Sequence, residues 1–150
     1  MGLPKSRHSN TILVVVDRLN KYCHFIPLCH LYTAKVVDAC FCEEIVRLHG
    51  MPRSIISDRD PLFLSAFWQE LLKLSQTRLR MSTFYHPQTD GQTEVVNRCL
   101  EVYLRYFAHE QPRNWSKFLL WAEYSFNIGY HTSTNTTPFK VVYRTDGNKR

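Results

Sequence analysis

Apolar and polar positions alternate in blocks along the chain, and the period of each block predicts its element. Residues 11–17 hold the unbroken run Ile12-Leu13-Val14-Val15-Val16, β-branched and apolar on both faces, which reads as a buried strand. A second apolar run, 22–28, follows the polar break Arg18-Leu19-Asn20-Lys21, so the two predict a hairpin. Over 33–49 the period changes to that of a helix, with Val37, Cys40, Phe41, Ile45 and Leu48 on one side. Thr33 suits its N-cap, and Gly50 followed by Pro52 its stop. Ser54-Ile55-Ile56-Ser57 predicts a short strand ending at Asp58, and Leu64, Phe67, Trp68, Leu71 and Leu72 a helix after it. Residues 77–81 predict another strand and 82–91 a polar loop.

Thr89 and Gln92 have the form of a capping box, so a helix is expected from Thr89 or Asp90, with Val95, Cys99, Val102, Tyr103 and Tyr106 lining one side and charges on the other. Residues 115–130 carry apolar groups around much of their circumference (Trp115, Phe118, Leu119, Trp121, Ala122, Tyr124, Phe126, Ile128), which predicts a helix buried by this domain or by a second chain. Thr137-Pro138 signals a last short helix. Strands mixed with helices, without repeat or linker, point to a single α/β domain over residues 1–150.

Composition narrows the class. With 44% hydrophobic and 21% charged residues, 5 Gly and 7 Pro, the chain is neither disordered nor collagen-like. The aliphatic run at 12–16 is too short to span a bilayer, and no leader opens the sequence, so a cytoplasmic or nuclear protein without a membrane partner is expected. The opening Met1-Gly2-Leu3-Pro4-Lys5-Ser6 formally fits an N-myristoylation pattern, but reads at least as well as a turn. A net charge of +6 favours a polyanion, nucleic acid first. Cys23, Cys29, Cys40, Cys42 and Cys99 are odd in number and form no C-x-x-C pair, consistent with reduced thiols acting as small hydrophobes.

The candidate chemistry rests on two carboxylates. Asp58 ends a predicted strand and Glu94 opens a predicted helix, with 35 residues between them, enough for a helix, a strand and a returning loop. Brought together they would offer hard oxygen ligands suited to Mg²⁺ or Mn²⁺, and paired divalent ions serve phosphodiester chemistry. Each also has an ordinary structural reading, the aspartate as a turn former and the glutamate as an offset to the helix dipole. Glu94, Arg98, Glu101 and Arg105 recur at helical spacing and share one face.

The surrounding text is more specific. Ile55-Ile56-Ser57-Asp58-Arg59-Asp60 and Phe84-Tyr85-His86-Pro87-Gln88-Thr89-Asp90-Gly91-Gln92-Thr93-Glu94-Val95-Val96-Asn97-Arg98 closely resemble the catalytic core of gypsy-type LTR retrotransposon integrases. The resemblance extends from Gly2 to about Tyr143 and includes Arg47-Leu48-His49-Gly50, Trp121-Ala122-Glu123-Tyr124 and Thr137-Pro138-Phe139-Lys140. Only residues 144–150 depart from it.

That resemblance implies a ribonuclease-H-like mixed sheet flanked by helices, in which two Asp and one Glu hold two Mg²⁺ or Mn²⁺ ions. Asp58 would be the second ligand and Glu94 the third. His86, Gln88, Gln92, Asn97 and Arg98 would contact DNA, either the element's ends or the target. A homodimer through the core is implied as well, and no small-molecule cofactor. The family's first Asp lies on a strand just before the turn at Gly2-Leu3-Pro4-Lys5-Ser6, so the central first strand is expected to be largely missing, the domain truncated at its amino terminus and the site one carboxylate short. Asp17 matches a strand-end residue that is not a ligand there. Two expectations follow, an integrase core fragment without DNA-joining activity or a noncatalytic, domesticated remnant that binds DNA or another core.

Overall fold

Residues that prefer extended backbone form the first two elements: strands β1 (Ser9–Val16) and β2 (Cys23–Cys29) pair antiparallel, Val14 opposite Phe25 and Ile12 opposite Pro27. The structure, a computed structural model, describes residues 3, 5–6, 8–29, 31–57, 61–81 and 91–147. It divides into two compact units, one of residues 1–30 with 92–150 and one of residues 31–91.

In the first unit the hairpin turn is built by Asp17. Its Oδ1 accepts from the backbone N–H groups of Leu19 at 2.8 Å and Asn20 at 3.2 Å, and its Oδ2 accepts from the Asn20 side chain at 3.1 Å. Asp17 is thus the turn former that its strand-end position suggests. Against the hairpin lie helices α4 (Gly91–Phe107) and α5 (Trp115–Asn127), joined by a 3₁₀ turn at Pro112–Asn114. Their buried cluster is Cys23, Phe25, Val96, Leu100, Leu104, Ala108, Trp115, Leu119, Ala122 and Phe126. Short helix α6 (Pro138–Tyr143) begins as Thr137-Pro138 predicts, the Thr137 hydroxyl accepting from the Lys140 N–H at 3.1 Å. The stretch after it is tied back by Lys140 to Asp146 at 2.9 Å and by the Tyr124 hydroxyl to the Gly147 carbonyl at 2.9 Å.

The core-facing side of α4 differs from the sequence expectation. Val96, Leu100 and Leu104 are buried, while Val95, Val102 and Tyr106 are 58%, 67% and 80% exposed. Apolar side chains cover roughly 200° of this helix at 3.6 residues per turn, more than one packing face needs. Periodicity locates such an arc without saying which half of it is covered.

Helix α5 begins with a borrowed cap. Asn114, at its N-cap position, makes no side-chain capping bond, and the Ser116 N–H instead donates to Ser6 Oγ at 3.2 Å. Ser6 is fully buried and also meets Ser116 Oγ at 2.8 Å. A serine 110 positions away thus does the work of a local cap. Ser6→Ala is expected to lower stability by about 1 kcal/mol, a typical cap loss, measurable by chemical denaturation.

In the second unit α1 (Ala34–Phe41), a π-helical turn (Cys42–Val46) and α2 (Arg47–His49) run on from one another. The predicted helix over 33–49 is therefore present, with an extra residue accommodated in its middle. Thr33 Oγ1 accepts from the Val36 N–H at 3.4 Å, and Gly50 ends the run at φ +79°. Strands β3 (Ser54–Ser57) and β4 (Arg78–Met81) pair parallel, joined through α3 (Ala66–Leu74), whose Trp68 and Leu72 are buried. Leu64 lies before α3 and is exposed, so it caps no core. The loop expected at 82–91 and the capping box at Thr89 lie outside the described residues up to Gly91, where α4 starts.

Candidate functional site

Glu94 stands in the first turn of α4, where the unbonded N–H groups of the helix end favour negative charge. Its Oε1 accepts from Arg98 Nη2 at 2.7 Å. Both side chains are mostly in water, at 66% and 75% exposure, so the pair is worth only a few tenths of a kcal/mol and yields readily to a stronger ligand. Asn97, Arg98, Glu101 and Arg105 are exposed on the same side of the helix as Glu94, as their spacing predicts. Gln92 lies in the backbone of α4. Asp58, His86 and Gln88 fall outside the described residues, although β3 ends at Ser57, immediately before Asp58. The donor set of two carboxylates suits a hard divalent ion, and Glu94 offers its oxygens without a buried partner to displace. No group of three or more His, Cys, Asp or Glu side chains is gathered as a metal site among the described residues.

A second polar constellation joins β2 to α5, and its spacing escapes a reading based on apolar periodicity. Asn127 Oδ1 accepts from the Cys23 N–H at 2.8 Å, and its Nδ2 donates to the Cys23 carbonyl at 2.8 Å. One turn earlier on α5, Glu123 Oε2 accepts from the Phe25 N–H at 2.9 Å, and Oε1 lies 3.3 Å from His24 Nδ1. Cys23 and Phe25 point these groups away from β1, so two side chains of α5 finish the outer edge of the hairpin. Burial, together with the nearby Glu123 charge, pushes the Cys23 thiol up, and burial does the same to the Tyr22 hydroxyl, reinforced by Tyr143. The visible signal is a pair of polar residues four apart within a helix otherwise apolar on that side.

Exposed apolar groups remain on α4 and α5. Val102, Tyr106, Phe107 and Phe118 line an open cavity of about 770 Å³ with Arg105 and His109 at its rim, and Leu120 and Trp121 face outward on α5. No helix among the described residues is long and apolar enough to cross a membrane.

No protein-family model matches the chain. It is 34% identical over 143 residues to the Tf2-3 and Tf2-4 transposon polyproteins of Schizosaccharomyces pombe, covering 95% of this chain and 11% of each polyprotein. The chain thus spans about a tenth of the length of the curated relatives it matches. In structure it resembles a chain of the simian T-cell lymphotropic virus intasome in complex with PP2A regulatory subunit B56 gamma, with a TM-score of 0.77 and 20% identity over 93% of this chain and 51% of that one. It also resembles the HTLV-2 integrase catalytic core domain in complex with magnesium in its trimeric form, at TM-score 0.70 and 18% identity over 93% and 90% of the two chains. A third likeness is to the BIV integrase catalytic core domain, at TM-score 0.72 and 20% identity over 94% and 90%. By sequence the chain belongs with retrotransposon polyproteins, and by fold with the ribonuclease-H-like catalytic cores of retroviral integrases.

Proposed function

We propose that residues 1–150 form one integrase core domain that works on DNA, with Asp58 and Glu94 as the carboxylates that hold Mg²⁺ or Mn²⁺. Glu94 carries this reading: an exposed carboxylate in the first turn of a helix whose same face presents Asn97 and Arg98, within a chain of integrase-core fold. The HTLV-2 core domain in complex with magnesium supports the choice of ion. When bound, divalent ions activate an attacking oxygen and stabilise the leaving one in phosphodiester transfer. Arg98 would exchange its bond to Glu94 for a phosphate oxygen, Asn97 would add a hydrogen bond to the DNA backbone, and His86, Gln88 and Gln92 would contact the DNA nearby. The substrates are the element's DNA ends and target DNA, in the nucleus or the cytoplasm that leads to it.

Only two of the three carboxylates implied by the resemblance lie in these 150 residues, so the chain by itself binds metal weakly and does not join DNA. The alternative, a noncatalytic module that binds DNA or a second core, gains support from the outward-facing Leu120 and Trp121, which suit a homodimer through the core. An HTLV-2 core has been seen in a dimeric form.

Mn²⁺ titration followed by paramagnetic line broadening tests the site. Asp58→Asn and Glu94→Gln are each expected to weaken binding several-fold, and unchanged binding in both would defeat the assignment. Arg98→Ala should weaken DNA binding uniformly across sequences and reduce the salt slope by about 1. Robust Mg²⁺-dependent DNA joining by the chain, lost in Glu94→Gln, would overturn the proposed inactivity.

A further inference from the structure

The two edges of the β1–β2 hairpin are finished differently. On the outer edge of β2, Asn127 occupies both backbone groups of Cys23 and Glu123 takes the Phe25 N–H. Next along that edge comes Pro27, which has no N–H to offer. Three successive outward positions are thus closed to a further strand. On β1 the corresponding outward positions are Ile12, Val14 and Val16. Their direction follows from the ladder: Asp17 donates to the Tyr22 carbonyl at 2.9 Å, and antiparallel pairs alternate from there, leaving Ile12, Val14 and Val16 with N–H and C=O turned away from β2. No backbone partner for these outward groups occurs among the described residues.

The devices that blunt strand edges are absent over this stretch. Residues 12–16 contain no charge and no proline, and the bulge between Ser9 and Thr11 disturbs only the start of the strand. Every residue of β1 is half-buried, so each retains part of its surface for a neighbour.

We infer that the free edge of β1 pairs antiparallel with β1 of a second copy of this chain, joining two hairpins into one continuous sheet. A second copy fits because the edge is self-complementary. Two neutral runs of Ile, Leu and Val set β-branched side chains opposite one another, a favoured cross-strand pairing, with no like charges to repel. This inference needs only the hairpin and stands apart from the DNA-joining reading. It also uses a different surface from the Leu120 and Trp121 face.

Sedimentation equilibrium of the 150-residue chain over a wide concentration range tests it, with thermal melts confirming that each variant folds. Ile12→Pro copies onto β1 the edge closure that Pro27, its partner across the ladder, gives β2, and it removes an N–H that the hairpin does not use. Self-association is expected in the parent and should weaken at least about ten-fold, equivalent to 1.4 kcal/mol, in Ile12→Pro. Val14→Lys and Val14→Glu should each weaken it alone, and mixing the two should restore it as a heterodimer, which a folding defect could not do. A parent that stays monomeric at all concentrations overturns the inference. So does an Ile12→Pro variant that melts normally and associates unchanged, or a lysine and glutamate mixture that stays monomeric. Association lost in Trp121→Glu and kept in Ile12→Pro would also overturn it, while leaving the homodimer through the core intact.

Discussion

Replacing Asn127 by leucine is expected to cost about 3 kcal/mol of stability and, for a chain of this length, to lower the melting temperature by about 9 °C. Leucine matches asparagine closely in volume, so the loss comes from hydrogen bonding and not from a cavity. Asn127 and Cys23 are both fully buried, and the amide of Asn127 meets the N–H and the carbonyl of Cys23 at 2.8 Å each. With leucine in place both backbone groups stay in the interior without partner or water. A buried group left in this state costs about 1–3 kcal/mol. Urea denaturation measures the loss, and amide hydrogen exchange at Cys23 should speed up by more than the global destabilisation accounts for. A cost under about 1 kcal/mol would mean that β2 shifts to expose the two groups to water. Glu123→Gln, which keeps an acceptor for the Phe25 N–H, is the milder neighbour and should cost less.

The contrast between Asn127 and Glu94 shows what the sequence made legible. Glu94 could be singled out because a carboxylate at a helix start has a chemical meaning that its neighbours in sequence reinforce. The hairpin over 11–28, the helix after Thr33 and its stop at Gly50 were legible for a similar reason, since β-branched runs, caps and glycine stops act within a few residues. Asn127 and Ser6 act across 104 and 110 positions, and nothing local marks an asparagine on an apolar helix or a serine in a turn as a partner of distant backbone. The same limit explains α4. Its apolar arc was visible, but whether Val95, Val102 and Tyr106 or Val96, Leu100 and Leu104 enter the core depends on the direction from which β2 and α5 arrive. The π-helical turn at Cys42–Val46 leaves the side-chain period almost unchanged and so leaves no trace in the pattern.

The largest loss of stability is expected from Trp115→Ala, about 4 kcal/mol or about 12 °C, with Trp121→Ala close to neutral. The two tryptophans stand on one helix, six residues apart, and a sequence reading gives them equal weight. Trp115 is 1% exposed and packs in the cluster with Cys23, Phe25, Leu100, Leu104, Leu119 and Phe126, whereas Trp121 is 63% exposed. Truncating Trp115 removes the largest side chain of that cluster and leaves a cavity under the first turn of α5. Ser6 caps this same turn through the Ser116 N–H, so any collapse that fills the cavity must also move the cap. Relaxation is therefore restricted, which places Trp115 toward the upper part of the 3–5 kcal/mol range for such truncations. Because the cap and the packing share one turn, Ser6→Ala and Trp115→Ala should not be additive: the double variant is expected to lose less than the sum of the two single losses. A full double-mutant cycle by chemical denaturation checks this. Strict additivity would show that the Ser6 bond survives the cavity and that the first turn of α5 is held by something other than Trp115.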